Sequence, residues 1–413
     1  MDALHTSDSK LRRNLLVLFA AGLLFWSSMA SLLPTLPLYI QHIGATKQQI
    51  GVTMGSFAIG LLLFRPYLGK LADERGRKIV LIIGVLAAAL APLGYTIATS
   101  VPVLMLLRAF HGISIAAFAT AFSALVTDIA PSNKRGEILG YMSLVNPIGM
   151  AIGPAIGGYL QESAGYVPLF LLATALATLS LLCTSQVVTP PLATPIPGET
   201  NNGKYKFWEI LLSPRVRVPT IVMLLVGLAF GTISTFVPLF LKSTQVDLNA
   251  GLFYTAAAIT SFSIRLFTGK TSDRIGRGLF ITIGIACYGI AMFLLWQANT
   301  AVDFLLAALI QGAGGGTLIP MIVAMMADRS LPQERGRIFA LCISGFDVGI
   351  AIAGPVLGSV AEQVGYRNMF GFVGVLTVVA IMIFFTQSSK DLYSSMQFAL
   401  GRGRDAYTLN SAE

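Results

Sequence analysis

Charge is scarce in the apolar stretches of this chain, so the few ionisable side chains inside them are where chemistry would begin. Arg108 lies in Leu104-Met105-Leu106-Leu107-Arg108-Ala109-Phe110-His111-Gly112. A guanidinium within such a run costs several kcal/mol and marks a functional candidate. It stays charged at any accessible pH, so it can hold an anion but cannot carry a proton. The other reading is a structural Arg that caps a neighbouring helix or reaches outward. His111 follows three residues later, on the same face of a helix. Its reference pKa is the one nearest neutrality, which suits a proton carrier, and a polar packing role is the alternative. Asp347 is the other charge deep in an apolar run, with Asn146 near the matching place in the first half. It titrates, or it serves as a hydrogen-bonding group.

Other chemistries leave no trace. There is no His-Glu-x-x-His and no Gly-x-Ser-x-Gly, and Gly269-Lys270-Thr271 fails as a phosphate loop because position 264 is Ile. Cys183, Cys287 and Cys342 all fall in apolar runs and show neither metal spacing nor a disulfide framework. The expectation is no metal and no cofactor.

The elements that must hold these groups follow from composition. Charged residues make up only 11% of the 413 residues and hydrophobic ones 55%, against about 25% charged in a soluble domain. Twelve apolar runs are long enough to span a bilayer, which needs about 20 residues. They cover roughly 14–40, 48–68, 79–99, 102–127, 138–161, 167–188, 218–241, 249–268, 279–298, 303–327, 338–361 and 368–387. They are apolar all round, and helices satisfy their own backbone groups in lipid. The expected class is therefore an all-α integral membrane protein. Lys10, Arg12 and Arg13 ahead of Ser28-Met29-Ala30 resemble a signal peptide, but the run continues to Ile40 and is too long for one. With the N-terminus in the cytoplasm, outer loops keep only Lys47, Lys242 and Arg367, and nearly all other Lys and Arg fall inside. This bias follows the positive-inside rule. The net charge of +9 then reports topology, not a nucleic-acid surface. Both termini are expected in the cytoplasm.

The chain also repeats itself. Gly69 to Arg77 matches Gly269 to Arg277, Arg65 matches Arg265, Gly112 matches Gly312, and Asp128 matches Asp328, each 200 residues apart. The organisation expected is a tail over 1–13, a six-helix half over 14–188, a cytoplasmic linker over 189–217, a second half over 218–387 and a tail over 388–413. Parallel repeats of this kind place a solute site near the midplane between them.

On these residues the chain resembles the major facilitator superfamily, over about 14 to 387. Gly69-Lys70-Leu71-Ala72-Asp73-Glu74-Arg75-Gly76-Arg77-Lys78 is close to the family's Gly-x-x-x-Asp-(Arg/Lys)-x-Gly-Arg-(Arg/Lys), departing at Glu74. The resemblance implies a conformational latch formed by Gly69, Asp73, Gly76, Arg77 and Asp128, repeated in Gly269, Asp273, Gly276, Arg277 and Asp328. Asp73 would sit at the N-terminus of the eleventh helix, where unpaired amides favour a carboxylate. Arg77 would pair with Asp128, and Arg277 with Asp328. Gly149, Gly153, Pro154, Gly157 and Gly158 are similar to the family's antiporter motif, Gly-x-x-x-Gly-Pro-x-x-Gly-Gly. Small residues four apart admit close helix contact, and Gly153 and Gly157 would face the eighth helix. The family's fourth-helix motif places an Arg at Arg108 and links it to proton transfer; His111 or Asp347 is the candidate titrating partner.

By the family's arrangement, helices one, four, seven and ten line the cavity. Candidate lining residues are Phe25, Trp26, Met29, Ser114, Phe230, Thr232, Thr235, Phe236 and Gln311. That set suits a lipophilic or amphipathic solute, and the unbalanced Arg108 suits an anion. The function expected is proton-coupled efflux of such a solute by a monomer in the cell membrane. Proton-coupled uptake of a small metabolite or sugar is the alternative, and a membrane enzyme or sensor is the third reading.

Overall fold

A computed structural model describes residues 2–131, 134–189, 207–331 and 334–409. Most of the expected linker, residues 190–206, lies outside the described residues. The helices are α1 (Asp2–Ser31), α2 (Leu36–His42), α3 (Lys47–Arg75), α4 (Arg77–Tyr95), α5 (Val101–Ile129), α6 (Arg135–Met142), α7 (Val145–Ala164) and α8 (Tyr166–Gln186). They continue as α9 (Phe207–Leu211), α10 (Pro214–Thr244), α11 (Ala250–Ile275), α12 (Arg277–Gln297), α13 (Ala301–Asp328), α14 (Arg335–Gln387) and α15 (Leu392–Ala399). Eleven spans are long and apolar enough to cross a membrane, and the last, Ile338–Gln387, is two helices merged across Gly365. The described residues thus hold the twelve spanning helices of an all-α membrane protein.

Prolines and glycines decide where the apolar runs break. The first run splits into α1 and α2, because Pro34 and Pro37 remove helix donors and clash with the preceding turn. The fifth splits at Ser143 and Leu144, ahead of Pro147. Gly165 (φ 88°) separates α7 from α8, and Gly365 (φ 80°) makes the same break inside α14. A side chain would be strained at either φ, so glycine sets both corners.

The chain forms two compact units, each described by itself. Unit 1 comprises Met1–Ala45, Val52–Thr200 and Asn249–Thr255; unit 2 comprises Thr46–Gly51, Asn201–Leu248 and Ala256–Glu413. In unit 1, α1 packs on α7 and α8, and α4 on α5 and α8. In unit 2, α10 packs on α14, and α12 on α13 and α14. The repeat extends to single contacts. Gly112 of α5 abuts the Phe57 carbonyl of α3, and Gly312 of α13 abuts the Ala257 carbonyl of α11. Lipid gives helices no hydrophobic reason to associate, so close packing and small polar side chains hold them. Ser28 donates to the Ala173 carbonyl at 2.7 Å and Ser180 to the Ala21 carbonyl at 2.7 Å, both tying α1 to α8.

The short α15 follows the last span. The Asp391 carboxylate caps it, accepting from the Ser394 N–H at 2.8 Å and from the Ser394 hydroxyl at 2.7 Å. These bonds, the backbone one first, hold the Asp391 pKa below its ordinary value. Its stabilisation is therefore present at neutral pH and is lost as the pH falls through that lowered value.

Candidate functional site

α5 carries a buried polar cluster in unit 1. Arg108 is 9% exposed and His111 fully buried. The Arg108 guanidinium lies over the Phe57 ring, 4.3 Å from its centroid, a cation–π contact supplied by α3. Arg108 NH1 is 3.4 Å from His111 Nδ1, and the Tyr95 hydroxyl is 3.1 Å from the same nitrogen. Arginine can only donate, so Nδ1 is an acceptor and the ring proton belongs on Nε2. Two buried donors then remain without a partner, Arg108 Nε and His111 Nε2. Leaving such groups unmet costs about 1–3 kcal/mol each. An acceptor with negative charge, such as a carboxylate, meets both needs.

Unit 1 brings Arg108, His111, Ser114 and Met29 together. Ser114 donates to the His111 carbonyl at 2.6 Å, and its hydroxyl is 3.6 Å from Met29 Sδ. Asp347 belongs to unit 2, where it is 9% exposed on α14. The other cavity candidates divide by exposure. Phe25 is fully buried and stacked on Phe118 at 3.8 Å, and Phe236 is fully buried 6.1 Å from Tyr366. Thr232 is buried and donates to its own helix at Leu228 O, 2.7 Å away, and Thr235 is buried on the same helix. These four are buried. Gln311 is buried too, its Nε2 3.4 Å from the Tyr288 hydroxyl. Trp26 and Phe230 keep open surface.

In the loop between α3 and α4, Arg77 bonds Asp73, and its Nε lies 3.6 Å from Asp128 Oδ2 at the end of α5. In unit 2, Arg277 Nε lies 3.1 Å from Asp328 Oδ2. Gly76 (φ 102°) and Gly276 (φ 105°) make the corners that aim these arginines. Gly69 has open space around it. Gly269 and Asp273 sit in α11, with their side-chain positions outside the description.

The small-residue face of α7 turns elsewhere than expected. A Cβ on Gly153 would meet Ser27 O at 2.6 Å and Ala30 Cβ at 2.8 Å, and one on Gly149 would meet Trp26 Cβ at 2.6 Å. Gly157 abuts the Ser31 backbone. The partner of these three glycines is α1, not the eighth helix, α11. Gly158, against Asn249, Pro154, whose carbonyl abuts Gly251, and Ala151, whose carbonyl accepts from the Thr255 hydroxyl at 2.8 Å, face the start of α11. Gly153→Leu should therefore force α1 from α7, at about 1–3 kcal/mol for overpacking. Transport by the purified variant should fall while membrane insertion survives. Normal transport would reduce the motif to incidental packing.

Two polar groups escaped the sequence reading. Tyr95, the last residue of α4, carries no sequence signal that sets it apart from a core aromatic. Arg329 follows the repeated Asp328, where the first copy has Ile129 after Asp128. That departure was its signal. Arg329 is fully buried and pairs with Asp405 through Nε at 2.7 Å and NH2 at 2.9 Å. It also donates to the Arg215 carbonyl at 2.9 Å and the Ser388 carbonyl at 3.1 Å. Unit 1 also holds an open groove of about 870 Å³, where Arg12, Arg13 and Lys134 edge an apolar lining that includes Leu16, Ile138 and Tyr141. Its chemistry suits an anionic amphiphile.

Comparison with known proteins agrees with this architecture. A family model described as Major Facilitator Superfamily matches residues 18–301 and 245–395. The chain is 26% identical over 386 residues to the multidrug resistance protein MdtG of Yersinia enterocolitica, covering 91% of each chain. It is 26% identical over 398 residues to a multi-drug resistance efflux pump PmrA homolog of Lactococcus lactis, covering 94% of this chain and 98% of the relative. Among solved structures, the nucleoside transporter NupG matches with TM-score 0.76 at 17% identity, over 89% of this chain and 98% of that one. A bacterial homolog of the human lysosomal transporter Spinster, inward-facing and unoccupied, matches with TM-score 0.76 at 14% identity, over 98% and 99%. At these identities the structures speak for the fold alone.

Proposed function

Because the chain belongs to the major facilitator superfamily, we propose that it is a monomeric, proton-driven exporter of small lipophilic, amphipathic or anionic solutes, working by alternating access. The observation that carries the solute and coupling reading is the buried Arg108–His111–Tyr95 cluster. It holds a fixed positive charge and two unpartnered donors, and no carboxylate forms an ion pair with Arg108 among the described residues. The groove edged by Arg12, Arg13 and Lys134 supports the same class. Relatives named for multidrug resistance and efflux support the outward direction. The chain moves its solute without transforming it. It sits in the cell membrane with both termini in the cytoplasm, as the distribution of Lys and Arg supports.

The loop residues Asp73, Arg77 and Asp128, with their counterparts in unit 2, serve as the latch between states. Asp73→Asn should weaken it and shift the population inward. Labelling of introduced cysteines reads this shift, and unchanged outward accessibility rejects the latch.

The function itself is tested with proteoliposomes loaded with anionic and cationic amphipathic dyes under an imposed pH gradient. Dye should move uphill against the proton flow. Movement in the same direction as protons would make the protein a symporter, and gradient-independent flux would remove proton coupling.

A further inference from the structure

α15 presents an apolar surface outside the proposed site. At about 100° per residue, its residues sort into three sectors. Ser395, Phe398 and Ala399 are buried against the protein, Ser394 and Gln397 are polar, and Leu392, Tyr393, Met396 and the C-cap Leu400 form an exposed apolar sector. A helix facing water would carry polar residues there. Contiguous exposed apolar surface marks an interaction site.

The position of the helix narrows the partner. The last span ends at Gln387. Residues 388–391 reach at most about 14 Å when extended, and the Ser389 N–H donates back to Ser395 Oγ at 2.9 Å. α15 is therefore held at the membrane surface. Its orientation is fixed from both ends. Thr282 donates to the Ala399 carbonyl at 2.9 Å, the Phe398 carbonyl abuts Gly278, and Asp405 closes on Arg329. The apolar sector cannot roll inward without breaking these contacts.

Charge completes the argument. Lys390, Arg402 and Arg404 flank the apolar sector and are exposed. Among the described residues of the segment the acids are Asp391, which caps α15 at the end away from Arg402 and Arg404, and Asp405, which pairs with Arg329. Apolar residues beside a cluster of exposed cations fit the interfacial layer of a membrane bearing anionic lipid. Tyr393 suits the same layer, where its ring is buried and its hydroxyl wet.

We propose that α15 is a lipid-reading helix: Leu392, Tyr393, Met396 and Leu400 lie in the headgroup–acyl boundary, and Lys390, Arg402 and Arg404 hold anionic phospholipid headgroups. The full-length protein is tested with Cys183, Cys287 and Cys342 changed to Ser and a nitroxide on Met396→Cys. It is placed in vesicles of phosphatidylcholine with increasing phosphatidylglycerol. The label should collide mainly with membrane-dissolved oxygen as phosphatidylglycerol rises, and little with a water-soluble nickel chelate. Lys390→Gln/Arg402→Gln/Arg404→Gln should raise the phosphatidylglycerol needed for this shift at least fivefold, since one surface cation is worth about that factor. Nickel collisions that dominate in every lipid mixture, or a triple variant with an unchanged midpoint, would overturn the proposal. The readout involves no transport, so it stands or falls apart from the export reading.

Discussion

Asp405→Ala should destabilise unit 2 by about 3–5 kcal/mol, the usual cost of stranding one member of a buried ion pair. The Arg329 side chain is wholly inaccessible and that of Asp405 11% exposed, so solvent cannot take over the lost charge. Two further Arg329 donors hold the Arg215 and Ser388 carbonyls. Loosening the guanidinium therefore also loosens the start of α10 and the end of α14. Thermal unfolding in detergent is the measurement, with Arg329→Met/Asp405→Ala as the second variant. Removing both charges should recover most of the loss, because a paired charge gains little over an apolar replacement once its desolvation is counted. A double variant as unstable as the single would mean that the packing of the arginine matters more than its charge.

Arg108→Ala should abolish uphill transport. The guanidinium offers a charge-assisted hydrogen bond to whatever negative group enters the cluster, and losing one costs about 1.5–3 kcal/mol. That corresponds to roughly a 10- to 100-fold loss of affinity. Arg108→Lys should not restore it, since an ammonium cannot reproduce a planar fork laid over the Phe57 ring. A proton carrier must be a second group, because arginine does not titrate. Proton release on solute binding, compared across Arg108→Ala, His111→Gln and Asp347→Asn, assigns it. Wild-type gradient-driven transport by both His111→Gln and Asp347→Asn would refute this coupling scheme. With Nδ1 of His111 facing Arg108 and Tyr95, the Nε2–H is the donor open to an incoming group.

Much of the architecture was legible because a bilayer permits so few solutions. Run lengths identified the spans, and a 200-residue self-match identified the repeat. The corners are legible in part: Gly165 and Gly365 stand at the same place in both copies, but the apolar character of the first run continues straight through its break at Pro34 and Pro37. Partners were less legible than positions. The spacing of Gly149, Gly153 and Gly157 announces a close helix neighbour and cannot say which, since a stripe of small residues fits any ridge. The structure supplies α1. Exposure was least legible. Phe25, Thr232 and Phe236 sit on helices whose apolar residues go all round, so no periodicity separates a lining face from a packed one. Arg329 and Asp405 are separated by 76 residues, and no local pattern joins a loop arginine to an aspartate in the tail.

That separation has a bearing on how the protein is made. Lys78 of the first copy donates to the Ser185 and Val187 carbonyls at 2.7 and 2.8 Å, closing the end of α8 from within its own half. The second copy has Gly278 there, and the Phe398 carbonyl of the tail occupies the room. Unit 2 has thus handed part of its own closure to residues that follow its last span. At about 5–20 residues per second, the ribosome needs roughly 4–15 s to go from Arg329 to Asp405. Through that interval the last two spans, within 338–387, are made while the guanidinium lacks its Asp405 counter-charge. Synthesis of the segment that carries Asp405 is then the event that locks the second half, and a nascent chain stalled before Asp405 would present quality-control proteases with an unfinished unit.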